Sequence, residues 1–520
     1  MSAPPSAGPV RILPGDATWA LHDVAASRAI EAAALARHAP HVLMQRAGQA
    51  VARLALAIAP HARHVWVACG PGNNGGDGLV AATLLQRAGR SVSATLFGDA
   101  QRLPDDARHA WQQARQAGVS IAPPAGDAPV DLAIDALLGL GASRAPEGAI
   151  AEAIARLRSL KAQVLAVDLP SGLGADTGQR VGGDAVVAAH TLSLLTLKPG
   201  LFTGAGRDHA GQVWLDALGV DATGMAATAR LAGADVLDWL APRAHASHKG
   251  SFGDLLVVGG APGMTGAAWL AGRAALAAGA GRVFVSLLDA DAPPCDLLQP
   301  ELMLRPDAWR NDAALLARGT VVCGCGGGSA VRDVLPTLLS RSARLLLDAD
   351  ALNALAADEA LRKLLDARAG RGLSTVLTPH PLEAARLLAC NAAQVQADRL
   401  RAADALAARH RCVVLLKGSG SVIASPDSAA TINPTGNGLL AGGGTGDVLA
   451  GWVGAFWAQA AAAGSDAKAA RQATEAAAWL HGHAADRLLA SAPGSLSLRA
   501  GELSEHMRQA AALRRRAPPD

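Results

Sequence analysis

Residues His64 to Gly78 read HVWVACGPGNNGGDG: an apolar run stops at a glycine-rich polar loop, and an Ala- and Leu-rich segment with helical spacing follows from Asp77 to Ala88. An apolar run without polar alternation is the pattern of a strand buried on both faces, as in a parallel sheet covered by helices. The unit recurs. DLAIDALLG from Asp131 and QVLAVDLPSG from Gln163 again deliver polar loops, with a helical segment from Gly148 to Leu160 between them. Strand, helix, strand in that order predicts an α/β fold with a doubly wound sheet and a ligand crevice outside the strand carboxyl ends.

The rhythm lapses between Leu218 and Arg243, where no strand run is visible. A second series then begins with GDLLVVGGAPG from Gly253. It continues through RVFVSLL from Arg282, TVVCGCGGG from Thr320, RLLLDADALN from Arg344, TVLTPHP from Thr375 and VVLLKGSG from Val413. A chain of 520 residues exceeds what one core serves. Two domains are expected, residues 1–225 and 226–515. They share no sequence period, so the chain reads as a fusion and not as a repeat array.

Composition narrows the function classes. Aromatics are 3% of residues, Tyr is absent and net charge is +3. Base-stacking nucleic-acid binding is disfavoured, and no basic stripe points to DNA or an anionic membrane. Cys69, Cys295, Cys323, Cys325, Cys390 and Cys412 form no CxxC pair, so they are expected as buried thiols in a reducing cytoplasm. The first residues lack the pattern of a signal peptide, and no apolar run has membrane-spanning length.

In a parallel sheet the second series brings Gly324 to Gly328, His380, Lys417 and the loop GGGTGD at Gly442 to Asp447 to one crevice. Neither glycine loop matches the usual nucleotide fingerprints. Their N–H groups and the start of a helix near Asp447 nevertheless suit phosphate oxygens, and Lys417 adds positive charge. Asp447 is out of place in such a cradle unless it faces a hydroxyl that loses its proton as a phosphoryl group arrives. A helix cap is the plainer alternative for Asp447. His380 equally reads as a loop residue satisfied by backbone, and LDADALN at Leu347 as a strand end capping a helix.

Six ordered motifs carry a resemblance: HKGSFGDLLVVGG (His248 to Gly260), MTGAAWLAGRAALAAGAG (Met264 to Gly281), LDADALN, TPHPLEAARL (Thr378 to Leu387), KGSGS and GGGTGDVLAG. They resemble the ribokinase-related, ADP-dependent NAD(P)H-hydrate dehydratases. The resemblance implies a ribokinase-like αβα domain in which ADP phosphorylates the hydroxyl of hydrated NAD(P)H. Phosphate is then eliminated, and NAD(P)H returns with AMP and phosphate. Asp447 is then the base. Ala267, Gly326, His380 and Asp447 touch the hydrate, while Lys417, Gly418, Ser419, Gly420, Ser421 and Gly446 hold ADP, which Mg2+ accompanies. The chain departs from the family pattern at Leu382, where Gly is usual, and around Gly442.

The first half offers Asn73 to Gly78, DALLGLGASR from Asp135 to Arg144, and DLPSG from Asp168 to Gly172. Asn74, Asp135 and Ser171 supply hard oxygen donors from three loops, suited to an alkali or alkaline-earth cation and unsuited to zinc. Turn chemistry is the plainer reading of the same residues. Together these motifs resemble the NAD(P)H-hydrate epimerase domain, a Rossmann-like three-layer fold. The resemblance implies that Asn73, Asn74, Gly75, Gly76, Asp77, Gly139, Leu140, Gly141, Ala142, Ser143, Arg144, Ala145 and Asp168 bind the hydrate. It also implies that Asn74, Asp135 and Ser171 bind K+ and that Asp168 is the acid/base group. Arg144 is expected on a dinucleotide phosphate or, equally, beside Glu147. Asp168 ends an apolar strand, where burial is expected to shift its pKa upward. Thr18 to Met44 reads as an amphipathic helical arm, with a plain core-facing helix as the safer reading.

Hydration produces two C6 epimers, so an epimerase fused to a dehydratase that acts on the S form would recover both. A homo-oligomer is expected. The rival reading is a small-alcohol kinase with a non-catalytic N-terminal binding domain.

Overall fold

The apolar runs form strands where the sequence places them. The computed structural model describes residues 8–122, 129–141, 144–222, 224–240, 242–461 and 466–514. It divides into two units, Met1–Leu13 with Ala20–Ala229, and Pro14–Trp19 with Arg230–Asp520.

The first unit holds an eight-stranded sheet in the order Val10–Arg11, Gln212–Asp216, His190–Leu194, Gln163–Val167, Leu132–Ala136, His64–Cys69, Ser91–Leu96, Ser120–Ile121. All neighbours are parallel except the first pair. Val65, Val67 and Cys69 face one core while Trp66 and Ala68 face another, so the sheet is covered on both sides. Burial on both faces is why these strands read as unbroken apolar runs. From His64–Cys69 the chain moves outward to Ser120–Ile121, then returns on the other side as Leu132–Ala136. The reversal point lies between those two strands. Their carboxyl ends carry Asn73 to Gly78 and Gly139 to Arg144, and a ligand crevice opens at such a point.

The second unit repeats the device. Arg282–Leu287, Asp254–Gly259, Thr320–Cys323, Arg344–Leu347, Ser374–Leu377 and Val413–Leu416 are consecutive and parallel. The antiparallel strands Val422–Ser425 and Ser428–Ile432 follow. Leu255 and Val257 pack in one core and Leu256 and Val258 in the other. The reversal falls between Asp254–Gly259 and Thr320–Cys323, directly below Gly324 to Gly328.

Some expectations change. Thr18 to Met44 is not one helical arm: a strand at Trp19–Leu21 precedes helices Val24–Leu35 and Val42–Ile58. The Asp23 side chain accepts from the Ala26 N–H and starts the first helix. Pro40 disfavours helix at the residue before it, and His41 adopts φ 67° at the start of the second. A three-residue strand, Ala229–Leu231, lies in the stretch without a strand run. The helix after His64–Cys69 begins at Asn73 and not at Asp77, and its first turn packs too closely for side chains at Gly75 and Gly76. A Cβ at Gly75 would meet the Gly70 carbonyl oxygen at 2.0 Å, and one at Gly76 the Met44 Cε at 2.6 Å. Cys69, Cys323, Cys325 and Cys412 are buried, whereas Cys295 is exposed and Cys390 partly so; all six are free thiols. No helix among the described residues is long and apolar enough to cross a membrane.

Candidate active sites

At the reversal point of the first sheet lies a cavity of about 430 Å3 lined by Asn73, Asn74, Asp77, Gly139, Leu140, Gly141 and Asp168, among others. Seven residues singled out in the sequence thus share one wall. Arg144 and Ala145 are exposed and do not line it; Ala142 and Ser143 lie outside the described residues. Behind the wall, Asp135 is fully buried. Its Oδ1 accepts from Ser171 Oγ at 2.6 Å and from the Leu137 N–H at 3.2 Å, and its Oδ2 accepts from the Ser171 N–H at 2.8 Å. Burial pushes the carboxyl up to about 6 against the pull of those hydrogen bonds. Among the described residues no cation partners it, and the Asn74 side-chain nitrogen is buried without a partner. Oxygen donors and a buried carboxylate without a cationic partner among the described residues fit an alkali or alkaline-earth cation at Asn74, Asp135 and Ser171, which the Asn74 amide would meet through its oxygen.

Asp168 sits at φ 66°, a strained value for a residue with a side chain. Its Oδ1 accepts from the Leu194 N–H at 3.1 Å and from Lys198 Nζ in a short ion pair. Lys198 is wholly buried and also donates to the Leu194 carbonyl at 2.7 Å and to Ser193 Oγ at 3.3 Å. Sequence reading misses this lysine. Its signal is a lone charge inside the apolar run TLSLLTLKPG. Asp77 differs: burial first, then the charges of Asp168, Glu31 and Asp106, push its carboxyl well above the usual range. The cavity therefore holds one ion-paired carboxylate and a second whose pKa burial raises.

In the second unit the parallel strands bring the candidates together. Gly326, at φ 58°, lies against helix Thr265–Ala277, where a Cβ would meet the Met264 carbonyl oxygen at 2.5 Å and Ala267 Cβ at 2.9 Å. Lys417 follows strand Val413–Leu416, and its Nζ lies 3.5 Å from where a Cβ on Gly446 would be. Ser421 Oγ accepts from the Gly418 N–H at 3.2 Å, closing the KGSGS turn. Asp447 occupies the first turn of helix Thr445–Ala461. Burial, then Asp348, push its carboxyl up to about 6, with Cys325 and Lys417 pulling the other way.

Asp348 is a correction. It stands at the start of helix Ala349–Ala357, but its side chain makes no capping bond. It accepts from Lys417 Nζ at 2.6 Å and Thr378 Oγ1 at 2.8 Å instead. Burial pulls the Lys417 ammonium down, yet Asp348 and Glu383 outweigh it and keep its pKa above the usual value. Cys325, Asp348 and Asp447 have ligand atoms within 4.8 Å of one another. With Asp348 already paired and a thiol as third member, the cluster is no ready-made cage for Mg2+. His380 follows the plainer reading in part. Its Nδ1 accepts from the Leu382 and Glu383 N–H groups at 3.1 and 3.4 Å, starting its own helix. Burial, then the Lys417 charge, lower its pKa and favour that neutral form. One further residue supports the glycine loop. Buried His481 holds the Thr445 carbonyl through Nε2 at 3.0 Å.

Residues 40–200 match the family model described as YjeF-related protein N-terminus, and residues 255–508 the one described as NAD(P)H-hydrate dehydratase. Over 429 residues the chain is 40% identical to the bifunctional NAD(P)H-hydrate repair enzyme Nnr of Escherichia coli strain K12, covering 80% of each. The protein of the same name from Coxiella burnetii is 36% identical over 90% of this chain and 94% of its own. The chain belongs to the bifunctional NAD(P)H-hydrate repair enzymes. Most of the first cavity's lining lies inside the stretch matched at 40–200, with Ser27, Arg28, Glu31, Leu35 and Leu218 outside it, and the Asp447 crevice lies inside that matched at 255–508. As a repair enzyme of this family it carries an isomerase and a lyase on one chain. Among solved structures, the ADP/ATP-dependent NAD(P)H-hydrate dehydratase of Bacillus subtilis, co-crystallised with ATP and Mg2+, is 30% identical, with a TM-score of 0.43 over 54% of this chain and 95% of that one.

Proposed function

We propose that residues 1–225 interconvert the C6 epimers of NAD(P)H hydrate and that residues 226–515 dehydrate the S epimer with ADP. The observation that carries the second activity is Asp447: a carboxyl raised to about 6 beside Lys417 and a glycine loop. It is a base near neutral pH, placed where a phosphoryl group would be held. Asp447 takes the proton of the C6 hydroxyl as that oxygen attacks the β-phosphorus of ADP, and AMP leaves. Phosphate then departs from C6 with loss of a proton from C5, which restores the ring double bond. Ala267, Gly326 and His380 border the hydrate; Lys417, Gly418, Ser419, Gly420, Ser421 and Gly446 hold the nucleotide. Mg2+ enters on the phosphates of ADP.

In the first unit, Asp168 takes the C6 hydroxyl proton as the ring C–N bond opens, and the nitrogen receives it. Closure on the other face reverses the transfer. Lys198 holds the Asp168 carboxyl in place for this step through their ion pair. Asp77 lines the same cavity, where burial and the neighbouring acids raise its pKa. Asn73, Asn74, Gly139, Leu140 and Gly141, which line the cavity, bind the rest of the hydrate, with Gly75 and Gly76 beside the two asparagines in the same helical turn. K+ is held by Asn74, Asp135 and Ser171; when bound it supplies the positive charge that buried Asp135 lacks. Six free thiols suit a reducing compartment, so we place the enzyme in the cytoplasm.

Incubation of hydrate with ADP tests the reading. AMP, phosphate and reduced cofactor are the expected products. A stable phosphorylated product would favour the small-alcohol kinase.

A further inference from the structure

The cavity of the first unit has a lopsided charge inventory. Glu31, Asp77, Asp106 and Asp168 all line it, and the one Lys or Arg among the lining residues is Arg28. Lys198 answers Asp168 alone, and Asp106 lies 2.5 Å from His41 Nδ1, so neither partner is available to a ligand in the cavity. A dinucleotide hydrate brings negative charge on its phosphates, and a cavity whose lining is otherwise acidic or apolar needs a cation to meet them. Arg28 is free. It is exposed on helix Val24–Leu35 and makes no hydrogen bond or ion pair with any described residue. It also faces the right wall. A side chain at Gly141 would come within 3.8 Å of the Arg28 Nη2, so the guanidinium looks across the cavity at the loop after strand Leu132–Ala136.

We propose that Arg28 is a substrate-phosphate ligand that makes the epimerase site selective for phosphate-bearing hydrates, a proposal that rests on this cavity being the epimerase site. A guanidinium offers a planar fork of donors matched to phosphate oxygens. Among the described residues Arg28 makes no hydrogen bond or ion pair, only a through-space attraction to Glu31 on its own helix, and Gly141 leaves room for a ligand group beside it.

The test measures epimer exchange by the full chain on three hydrates, those of NADH, reduced nicotinamide mononucleotide and reduced nicotinamide riboside. Arg28→Gln should raise KM for the NADH hydrate about tenfold, the scale of one exposed charge-assisted hydrogen bond, with the effect on KM and not on kcat. Arg28→Lys should recover part of the loss. The riboside hydrate, which has no phosphate, should respond equally to wild type and Arg28→Gln. A rise with the mononucleotide hydrate also places the contact on the phosphate next to the nicotinamide ribose. A KM for NADH hydrate unchanged in Arg28→Gln would make Arg28 a solvated surface residue, and an equal rise with the riboside would make its role structural; either overturns the proposal. Asp168→Asn is run alongside. If exchange survives in that variant, the cavity is not the epimerase site; if exchange is lost while Arg28→Gln is silent, the phosphate role alone falls.

Discussion

Lys198→Met should destabilise the first unit and silence its chemistry together. Lys198 is wholly buried, its charge is met by Asp168, and its remaining donors go to Leu194 and Ser193. Removing one partner of such a pair leaves an uncompensated buried charge, which costs about 3 to 5 kcal/mol. Each kcal/mol lowers the melting point of a unit of this size by roughly 2 to 4 °C, so a fall of roughly 6 to 20 °C is expected. Adding Asp168→Asn removes both charges, and the double variant should regain part of the lost stability. Hydrogen exchange on strands Gln163–Val167 and His190–Leu194 reads the first unit by itself, and epimer exchange reads the site. Both single variants should be inactive as epimerases. A Lys198→Met protein that melts as wild type does, with no recovery in the double variant, would refute the buried ion pair.

Asp447→Asn should lower ADP-dependent dehydration by about 10²- to 10⁴-fold, the scale of a lost general base, and leave epimer exchange intact. The wild-type rate should fall as pH drops through about 6, because burial and Asp348 raise the Asp447 pKa and its base form is lost there. A rate unchanged from pH 7 to 5 would contradict that role. Gly326→Ala places a methyl group 2.5 Å from the Met264 carbonyl at a φ of 58°. It should cost on the order of 1 to 3 kcal/mol and displace Ala267, read as a raised KM for the hydrate in dehydration and a lower melting point for the second unit.

What the sequence disclosed follows from where burial is absolute. Strands covered on both faces must be apolar throughout, so HVWVAC, LLVVG and VVLL are legible, and so are the polar residues that end them. Short strands carry no such pattern: Val10–Arg11 and Ala229–Leu231 are set by pairing and not by composition. The misread Asp348 and the missed Lys198 share a cause. Asp348 has the position of a helix cap, but the geometry of two neighbouring strands gives it Lys417 and Thr378 instead. Lys198 likewise meets Asp168 only because strands Gln163–Val167 and His190–Leu194 are adjacent. Partners separated by thirty residues or more leave no local signature. His380 shows the opposite case, where the local reading was sound: its ring starts its own helix, as the alternative of backbone satisfaction had it.

The central claim is that one chain handles both epimers through two separate carboxylates. The most direct measurement follows the R and S hydrates separately by chromatography, with excess ADP, in wild type, Asp168→Asn and Asp447→Asn. Wild type should consume both, Asp168→Asn should consume S and strand R, and Asp447→Asn should interconvert the two without restoring reduced cofactor. Consumption of R by Asp168→Asn at the wild-type rate would contradict the account.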